Sequence, residues 1–522
     1  MNSGTGPESA GARRAPAPFY RWTVLGIVMT GTFMAILDTS IVNVALPYMM
    51  SGFGVTRDQI EWVATAFMLA SASVMPLMGW LSGRFGYKPL YLVCLLIFTI
   101  GSGLCAVAWS YDVLIAARVV QALGGGAIQP VGLIIVADLF EPHERGRALG
   151  IWGTGAMVAP AVGPVLGGYL TDHFTWRSIF SVNLPIGAVA LIAGLMIMRR
   201  GGAAGRRTPL DVWGYAFLAM ALVAGLLAVS EGQQKGWSST YIRTAEAIAA
   251  VGLVMFLGIE SGVKHPILDL GLFRARNFTL SLVLAVFRSI GLFGSVFLLP
   301  LFLVNLMGYT TTDAGLWMMP GAVAVGATMP VAGRLADRYG PAWLVASGSL
   351  LVGVSLIAFG HLDPLSGWRT IVLPQVARGV GLALMMAPLL AAALNSVPRE
   401  RTPMASSFLN VVQFSAGAFG IALLNNVVTD AVHRHAVRAG ALTPLQSETF
   451  ARLADKAAHV VVRHSPGKEL TAYGKAEFLL ARTVDGRATA LGFENGFVFA
   501  GILLLCAVPL CFLLKKAPHH RR

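Results

Sequence analysis

Long apolar blocks alternate with short polar stretches along most of the chain. The blocks run about 20 residues, the length a helix needs to cross a hydrocarbon core of about 30 Å. A transmembrane β-barrel would show short segments of alternating polarity instead. Hydropathy, Gly/Pro punctuation and charged loops predict fourteen membrane helices, over 22–46, 60–81, 89–109, 112–139, 147–171, 179–198, 212–230, 242–262, 278–305, 313–333, 341–360, 369–394, 404–430 and 491–514. The fold class is therefore an all-α polytopic membrane protein.

Composition agrees. The 522 residues are 56% hydrophobic and 12% charged, against roughly 25% charged in soluble domains. Residues 1–21 are polar, and the apolar block after them is too long for a signal-peptide core, so it reads as a retained first span. Cys94, Cys105, Cys506 and Cys511 lie in apolar blocks, with neither a disulfide framework nor zinc spacing.

The net charge of +14 is mostly a topology signal. With both termini in the cytoplasm, the inner segments hold 22 Lys/Arg and the short outer loops five. Arg118, Arg288 and Arg378 lie within spans, and nine more basic residues lie in the long outer segment 431–490. Long loops translocate largely regardless of charge, so the bias supports the orientation. Nucleic-acid binding is not implied.

The chain repeats itself. "GWLSGRFGYKPLYL" from Gly79 and "GRLADRYGPAWLVA" from Gly333 share G-x-L-x-x-R-x-G at an offset of 254 residues. Pro142 and Glu144 match Pro398 and Glu400 at an offset of 256, and Arg118 and Arg378 open comparable spans 260 apart. Eight spans separate equivalent points, an even number, as parallel repeats require. The arithmetic gives two six-helix bundles, 22–198 and 278–514, with two extra helices in 199–277. Parallel halves of this kind place a substrate site near the midplane between them.

On these motifs the sequence resembles the major facilitator superfamily, and within it the fourteen-helix drug:proton antiporters of the EmrB and QacA type. "PILDLGLFRARNFTL", Pro266 to Leu280, is closest to the EmrB branch. The resemblance covers nearly all of the chain except 431–490. It implies proton-coupled multidrug efflux by alternating access across the bacterial inner membrane. It also implies a possible partnership with a periplasmic adaptor and an outer-membrane channel. No cofactor beyond the proton gradient is implied, and no metal.

Asp38 lies in "LDTSIVNVALP", similar to the family's first-helix motif. A charge near the bilayer centre costs about 2.5–3.5 kcal/mol and normally has a job or a partner. Asp38 reads as the proton-carrying group, or alternatively as a fixed hydrogen-bond acceptor for Thr39, Ser40 or a neighbouring helix. Arg118, in "RVVQALGGGAIQP", is its candidate counter-charge, with Gln121 one turn away on the same face. Arg288 and Arg378 are weaker functional candidates. The coupling reading requires Asp38 to meet a central chamber. Asp38→Asn is expected to abolish coupled efflux while leaving folding intact.

The fifth span, "GIWGTGAMVAPAVGPVLGGYL", resembles the antiporter motif, matching at Gly150, Gly163, Pro164, Gly167 and Gly168, with Ala159 in place of a usual glycine. Gly155, Ala159, Gly163 and Gly167 repeat every four residues, a stripe expected to let another helix approach closely, as a seam between halves. Pro160 and Pro164 permit a bend. The inner-loop gate is expected at Gly79, Arg84, Gly86 and Lys88, and at Gly333, Asp337, Arg338 and Gly340. Arg84 and Lys88 are expected to reach inner-end carboxylates such as Asp138. Gly83 stands where the superfamily pattern has aspartate.

Candidate cargo contacts are Met34, Phe67, Met68, Gln129, Trp152, Met157, Phe293, Phe297, Trp317, Met318, Gln375, Met385, Phe408 and Gln413, because Met and aromatics adapt to varied apolar shapes. With Asp38 the one carboxylate deep in a span, the expected cargo is lipophilic and neutral, weakly acidic or singly charged. The stretch "LTPLQSETFARLADKAAHVVVRH" has helical character and is a candidate adaptor contact. An exporter of a specific lipid, fatty acid or siderophore, or a non-transporting scaffold or receptor, are the rival readings. An enzyme would need a nucleophile, base or metal constellation that the sequence does not show.

Overall fold

The computed structural model describes residues 18–141, 143–199, 209–264, 266–362, 367–442 and 469–515. Regular structure among the described residues is entirely helical. The first half contains α1 (Pro18–Phe53), α2 (Arg57–Val74), α3 (Met78–Phe85), α4 (Tyr87–Ala106), α5 (Tyr111–Leu139), α6 (Arg145–His173), α7 (Ser178–Ser181) and α8 (Asn183–Ile197). Helices α9 (Val212–Lys235) and α10 (Thr240–Gly262) follow. The second half contains α11 (Arg276–Asn305), α12 (Thr311–Tyr339), α13 (Pro341–Gly360), α14 (Trp368–Asn395), α15 (Thr402–Leu442), α16 (Glu469–Cys506) and α17 (Val508–Cys511).

Among the described residues, thirteen helical stretches are long and apolar enough to cross a membrane. The fourteenth is α6, which bends by 42° between Pro160 and Val162. The expected count therefore stands, with the antiporter-motif helix as the bent member. Pro76 interrupts the second span: α2 passes through a 3-10 turn, Met75–Leu77, into α3. This break follows from proline's missing N–H.

Polar caps set the helix starts. Thr56 and Thr310 form capping boxes with Gln59 and Asp313. Ser110, Asp211 and Ser239 accept from the backbone N–H three residues on. Each such bond satisfies a donor that the first helical turn leaves open.

Within the first half α4 packs on α5, α1 on α6 and α2 on α5, and within the second α13 packs on α14, α11 on α15 and α15 on α16. The halves meet mainly where α6 lies against α12, with α14 also touching α6. The pair α9 and α10 packs together, and α9 touches one helix of each half, α2 and α15. The "PILDLGLF" stretch ties this linker to α15. Asp269 pairs with Arg401 at 2.8 Å, its backbone N–H donates to the Met404 sulfur, and the buried Glu260 accepts from the Leu268 N–H.

The repeat is visible in backbone angles. Gly86 (φ 83°, ψ 164°) and Gly340 (φ 90°, ψ 166°) make the same left-handed turn in the two related loops. A side chain there would be strained, which is why both loops carry glycine.

Two helices outrun the sequence expectation. At 1.5 Å per residue, the 41 residues of α15 span about 62 Å and the 38 of α16 about 57 Å. Hydropathy marks only where each crosses the apolar layer, and the helices continue beyond it. The candidate adaptor stretch, with His459 and His464, lies outside the described residues. His433 lies on α15, as does His435, which meets the Asn495 side chain at 3.3 Å.

Candidate functional site

Asp38 is fully buried on α1 and sits at the centre of a polar network. Its Oδ2 accepts from Arg118 Nη1 at 2.6 Å. Its Oδ1 accepts from Gln121 Nε2 and from Asn183 Nδ2, each at 2.8 Å. All three contacts are donated to the carboxyl group, whose oxygens accept them. Arg118 also donates Nη1 to Gln121 Oε1 at 2.6 Å and Nε to the Val63 carbonyl at 3.1 Å. Gln121 Nε2 donates to Ser102 Oγ at 2.7 Å, and the Cys105 thiol lies 3.7 Å from Gln121 Oε1. Helices α1, α2, α4, α5 and α8 thus each give a group to one cluster. In so apolar an interior, such a cluster is tolerable when its members largely satisfy one another; Asn183 Oδ1 is buried without a partner.

The sequence paired Asp38 with Arg118 and placed Gln121 beside them; it missed Asn183 and Ser102. The signal for Asn183 was present in "SVNLPIGAVAL", an amide inside an otherwise apolar block.

A cavity of about 210 Å³ lies between the halves. Asp38 does not line it. The Arg118 guanidinium lies over the Phe67 ring, 4.2 Å from its centroid, and Phe67 lines the cavity. In this conformation the acid is walled off from the chamber, and the barrier includes that aromatic ring. This departs from the expectation that Asp38 meets the chamber directly. The reason is helical phase: Ala35, Ile36 and Thr39 of α1 line the cavity, whereas Asp38 points back into its own bundle.

Of the expected cargo contacts, Phe67, Gln129, Trp152, Met157, Phe293, Met318 and Gln413 line the cavity. The structure places the others elsewhere. Met34 and Met385 are fully buried in the core. Met68 and Phe297 are outside the lining, and Phe297 packs against the core. Trp317 packs at a tilt beside Tyr309, with ring centroids 5.7 Å apart. Phe408 packs against Phe273 and Phe278 beside the linker. Gln375 is buried behind Gly321, with neither side-chain polar atom paired. These helices are apolar on most faces, so residue type alone does not reveal which face meets the cavity. The lining also includes Arg288 and Arg378, held as weaker candidates, and Asn410, which sequence reasoning missed.

The antiporter-motif helix divides its small residues between two neighbours. Cβ atoms at Gly155, Gly163 and Gly167 would strike Met29, Ser40 and Ile41 of α1. The four-residue stripe therefore seats α6 against α1 within one half and does not form the expected seam between halves. Gly150 faces across instead: a Cβ there would lie 2.5 Å from the Met329 carbonyl oxygen of α12. A Cβ at Gly315 of α12 would meet the Pro164 ring at 3.2 Å. Gly168 is buried, and its carbonyl accepts from Thr171 at 3.0 Å.

Pro164 has no N–H, so the Pro160 carbonyl lacks its helical partner. Ser40 Oγ supplies one at 3.0 Å, at the bend. Membrane helices tolerate proline when a neighbour re-satisfies the freed group. Ser40→Ala is expected to lower stability by about 0.6–1.7 kcal/mol, the range for hydrogen bonds between membrane helices. Thermal unfolding in lipid nanodiscs measures it; an unchanged midpoint would remove Ser40 from the support of the bend.

The halves also close on each other at the end bearing the two related loops. A Cβ at Gly79 would sit 3.1 Å from Met404 Cα. Ser407 Oγ donates to the Met75 carbonyl at 2.6 Å and Ser406 Oγ to the Pro130 carbonyl at 3.2 Å. Arg145 Nη1 donates to Asn395 Oδ1 at 2.9 Å. A Cβ at Gly333 would overlap the Gly146 carbonyl. Arg84 lies over Trp80 and Phe85, and Lys88 donates to the Leu195 carbonyl at 3.0 Å, so the expected reach to inner carboxylates is replaced by these contacts. Arg338 lies over Tyr339; the Asp337 side chain is outside the described set.

Comparison with known proteins agrees with this architecture. The sequence profile of the Major Facilitator Superfamily matches residues 28–421. Over 416 residues the chain is 34% identical to the multidrug resistance protein Stp of Mycobacterium tuberculosis, covering 78% of this chain and 76% of that one. Over 406 residues it is 32% identical to the multidrug export protein EmrB of Escherichia coli, covering 77% and 79%. The crystal structure of the human organic anion transporter MFSD10 superposes with a TM-score of 0.59 at 15% identity, covering 95% of this chain and all of that one, a likeness of fold. By its helices, its repeat and these relatives, the chain belongs to the Major Facilitator Superfamily and is an EmrB-like member of its drug:proton antiporter family.

Proposed function

We propose that the protein exports lipophilic small molecules across the inner membrane in exchange for protons. The observation that carries this reading is the buried Asp38–Arg118 pair set behind Phe67, a ring shared with a largely apolar cavity between the halves. Because coupling requires Asp38 to meet the chamber, it needs a second conformation in which the Phe67 wall opens. The names of the relatives Stp and EmrB point to drugs as cargo. The Lys/Arg bias puts the loop end in the cytoplasm, so the conformation described is sealed on the cytoplasmic side by the contacts of Gly79, Met75 and Arg145.

In this reading a proton arriving from outside lands on Asp38 and turns an acceptor into an O–H donor opposite Arg118 Nη1. The pair then loosens, Arg118 shifts from Phe67, and the cavity wall changes shape. Release of the proton to the cytoplasm restores the pair. One proton moving down 100 mV releases about 2.3 kcal/mol, which at about 1.4 kcal/mol per decade sustains roughly a 50-fold gradient of cargo. Purified protein in sealed vesicles is expected to move protons when a lipophilic drug is added, in the direction opposite to the drug. Drug movement that collapses no pH gradient, across several compound classes, would exclude proton exchange.

A further inference from the structure

We infer that the cavity selects organic anions: lipophilic molecules with a single carboxylate-like head, which it prefers to neutral or cationic analogues of the same shape. This rests on the reading of the cavity as the cargo site. Arg288 of α11 and Arg378 of α14 both line it, only 3% and 5% exposed. Among the described residues, no carboxylate lines it. Arg288 Nη2 donates to Gln413 Oε1 at 2.8 Å, and Arg378 Nη1 donates to Ser295 Oγ at 2.6 Å. Both partners are uncharged, and the buried Nε of Arg378 has no acceptor. Guanidinium groups do not give up their proton in proteins. The chamber therefore carries two positive charges that no described side chain lining it neutralises.

The internal repeat sharpens the point. Arg118 and Arg378 are equivalent positions, 260 residues apart. Arg118 meets Asp38 on the first helix of its half. Arg378 meets Ser295 on the first helix of the other half, 257 residues beyond Asp38 and so within the spread of the repeat. Where one half holds its own acid, the other holds a serine, whose hydroxyl hydrogen is already committed to the Leu292 carbonyl at 2.9 Å. The first arginine is neutralised within the protein. The second faces the chamber with donors to spare, and a bound anion completes it. Charge-assisted bonds from guanidinium to carboxylate are the strong ones, and the apolar walls around Phe293, Phe414 and Met386 suit the rest of such a molecule.

The experiment uses the full chain in lipid nanodiscs with three probes: pyrenebutyrate, pyrenebutanol and pyrenebutylammonium, with binding to empty nanodiscs subtracted. The anion is expected to bind at least about tenfold tighter than the alcohol, and the cation more weakly than either. Arg288→Gln and Arg378→Gln are each expected to pull the anion-to-alcohol ratio towards one, while Arg288→Lys and Arg378→Lys retain most of it. The wild-type ratio stands as a test even if a glutamine variant fails to fold. Equal binding of all three probes, or a ratio unmoved by both glutamine variants, would overturn the anion preference and leave the exporter reading in place. Binding of none of them would instead remove the cavity as the cargo site.

Discussion

Asp38→Asn is expected to abolish proton-coupled transport and also to destabilise the protein by about 3–5 kcal/mol, the range for removing one partner of a buried ion pair. The second effect corrects the sequence expectation that folding would be untouched. Asparagine at this position leaves Arg118 charged and buried without a counter-charge, offers one acceptor oxygen where three donors now share two, and sets an amide NH2 among groups that already donate. The companion variant Asp38→Asn with Arg118→Gln removes both charges and is expected to recover a substantial part of the stability, because no buried charge is left alone. A double-mutant cycle of unfolding midpoints isolates the pair. The double variant is expected to remain without proton movement in vesicles, which separates scaffold from coupling. Full proton-coupled efflux by Asp38→Asn would dismiss Asp38 as the coupling group; equal stability of the single and double variants would dismiss the ion pair as the cause.

The second large effect is expected at Gly333. Its missing Cβ makes room for the Gly146 carbonyl of the opposite half, and that obstacle is backbone. Gly333→Ala therefore forces α12 and α6 apart at the loop end. The conformation sealed at that end is expected to lose at least about 1.4 kcal/mol, or tenfold in population, relative to the alternative. Distances between spin labels placed on α3 and α15 report it. Gly83→Ala is the matched control, since a Cβ there meets nothing within 4 Å. If both variants give the wild-type distance distribution, close packing at Gly333 does not hold that end shut.

The legible parts of this molecule were those with a strong local cause. Fourteen apolar blocks had to become spans, because backbone polar groups in lipid must pair within the segment. The two G-x-L-x-x-R-x-G loops had to turn alike, and Gly86 and Gly340 do so within a few degrees. Asp38 and Arg118 stood out because few charges enter the spans, and opposite charges in that setting seek each other.

Rotation of the helices was not legible. Met34 and Ala35 are neighbours, yet Met34 is core and Ala35 lines the cavity. In a helix that meets protein on several sides, apolar character marks no face. The same blindness hid the division of α6, where Gly163 serves α1 and Gly150 serves α12. The full length of α15 and α16 was missed for a different reason: hydropathy reads the bilayer, and a helix can continue in water without it.

Cys105 has its thiol on the same Gln121 oxygen that accepts from Arg118. Its S–H stretching vibration falls in an infrared window shared only with the thiols of Cys94, Cys506 and Cys511, and the Cys105 band is the one lost in Cys105→Ala. That band is thus a native, label-free reporter of whether the arginine is seated, and infrared difference spectra recorded on cargo addition or on a pH jump follow the network in the unmodified protein.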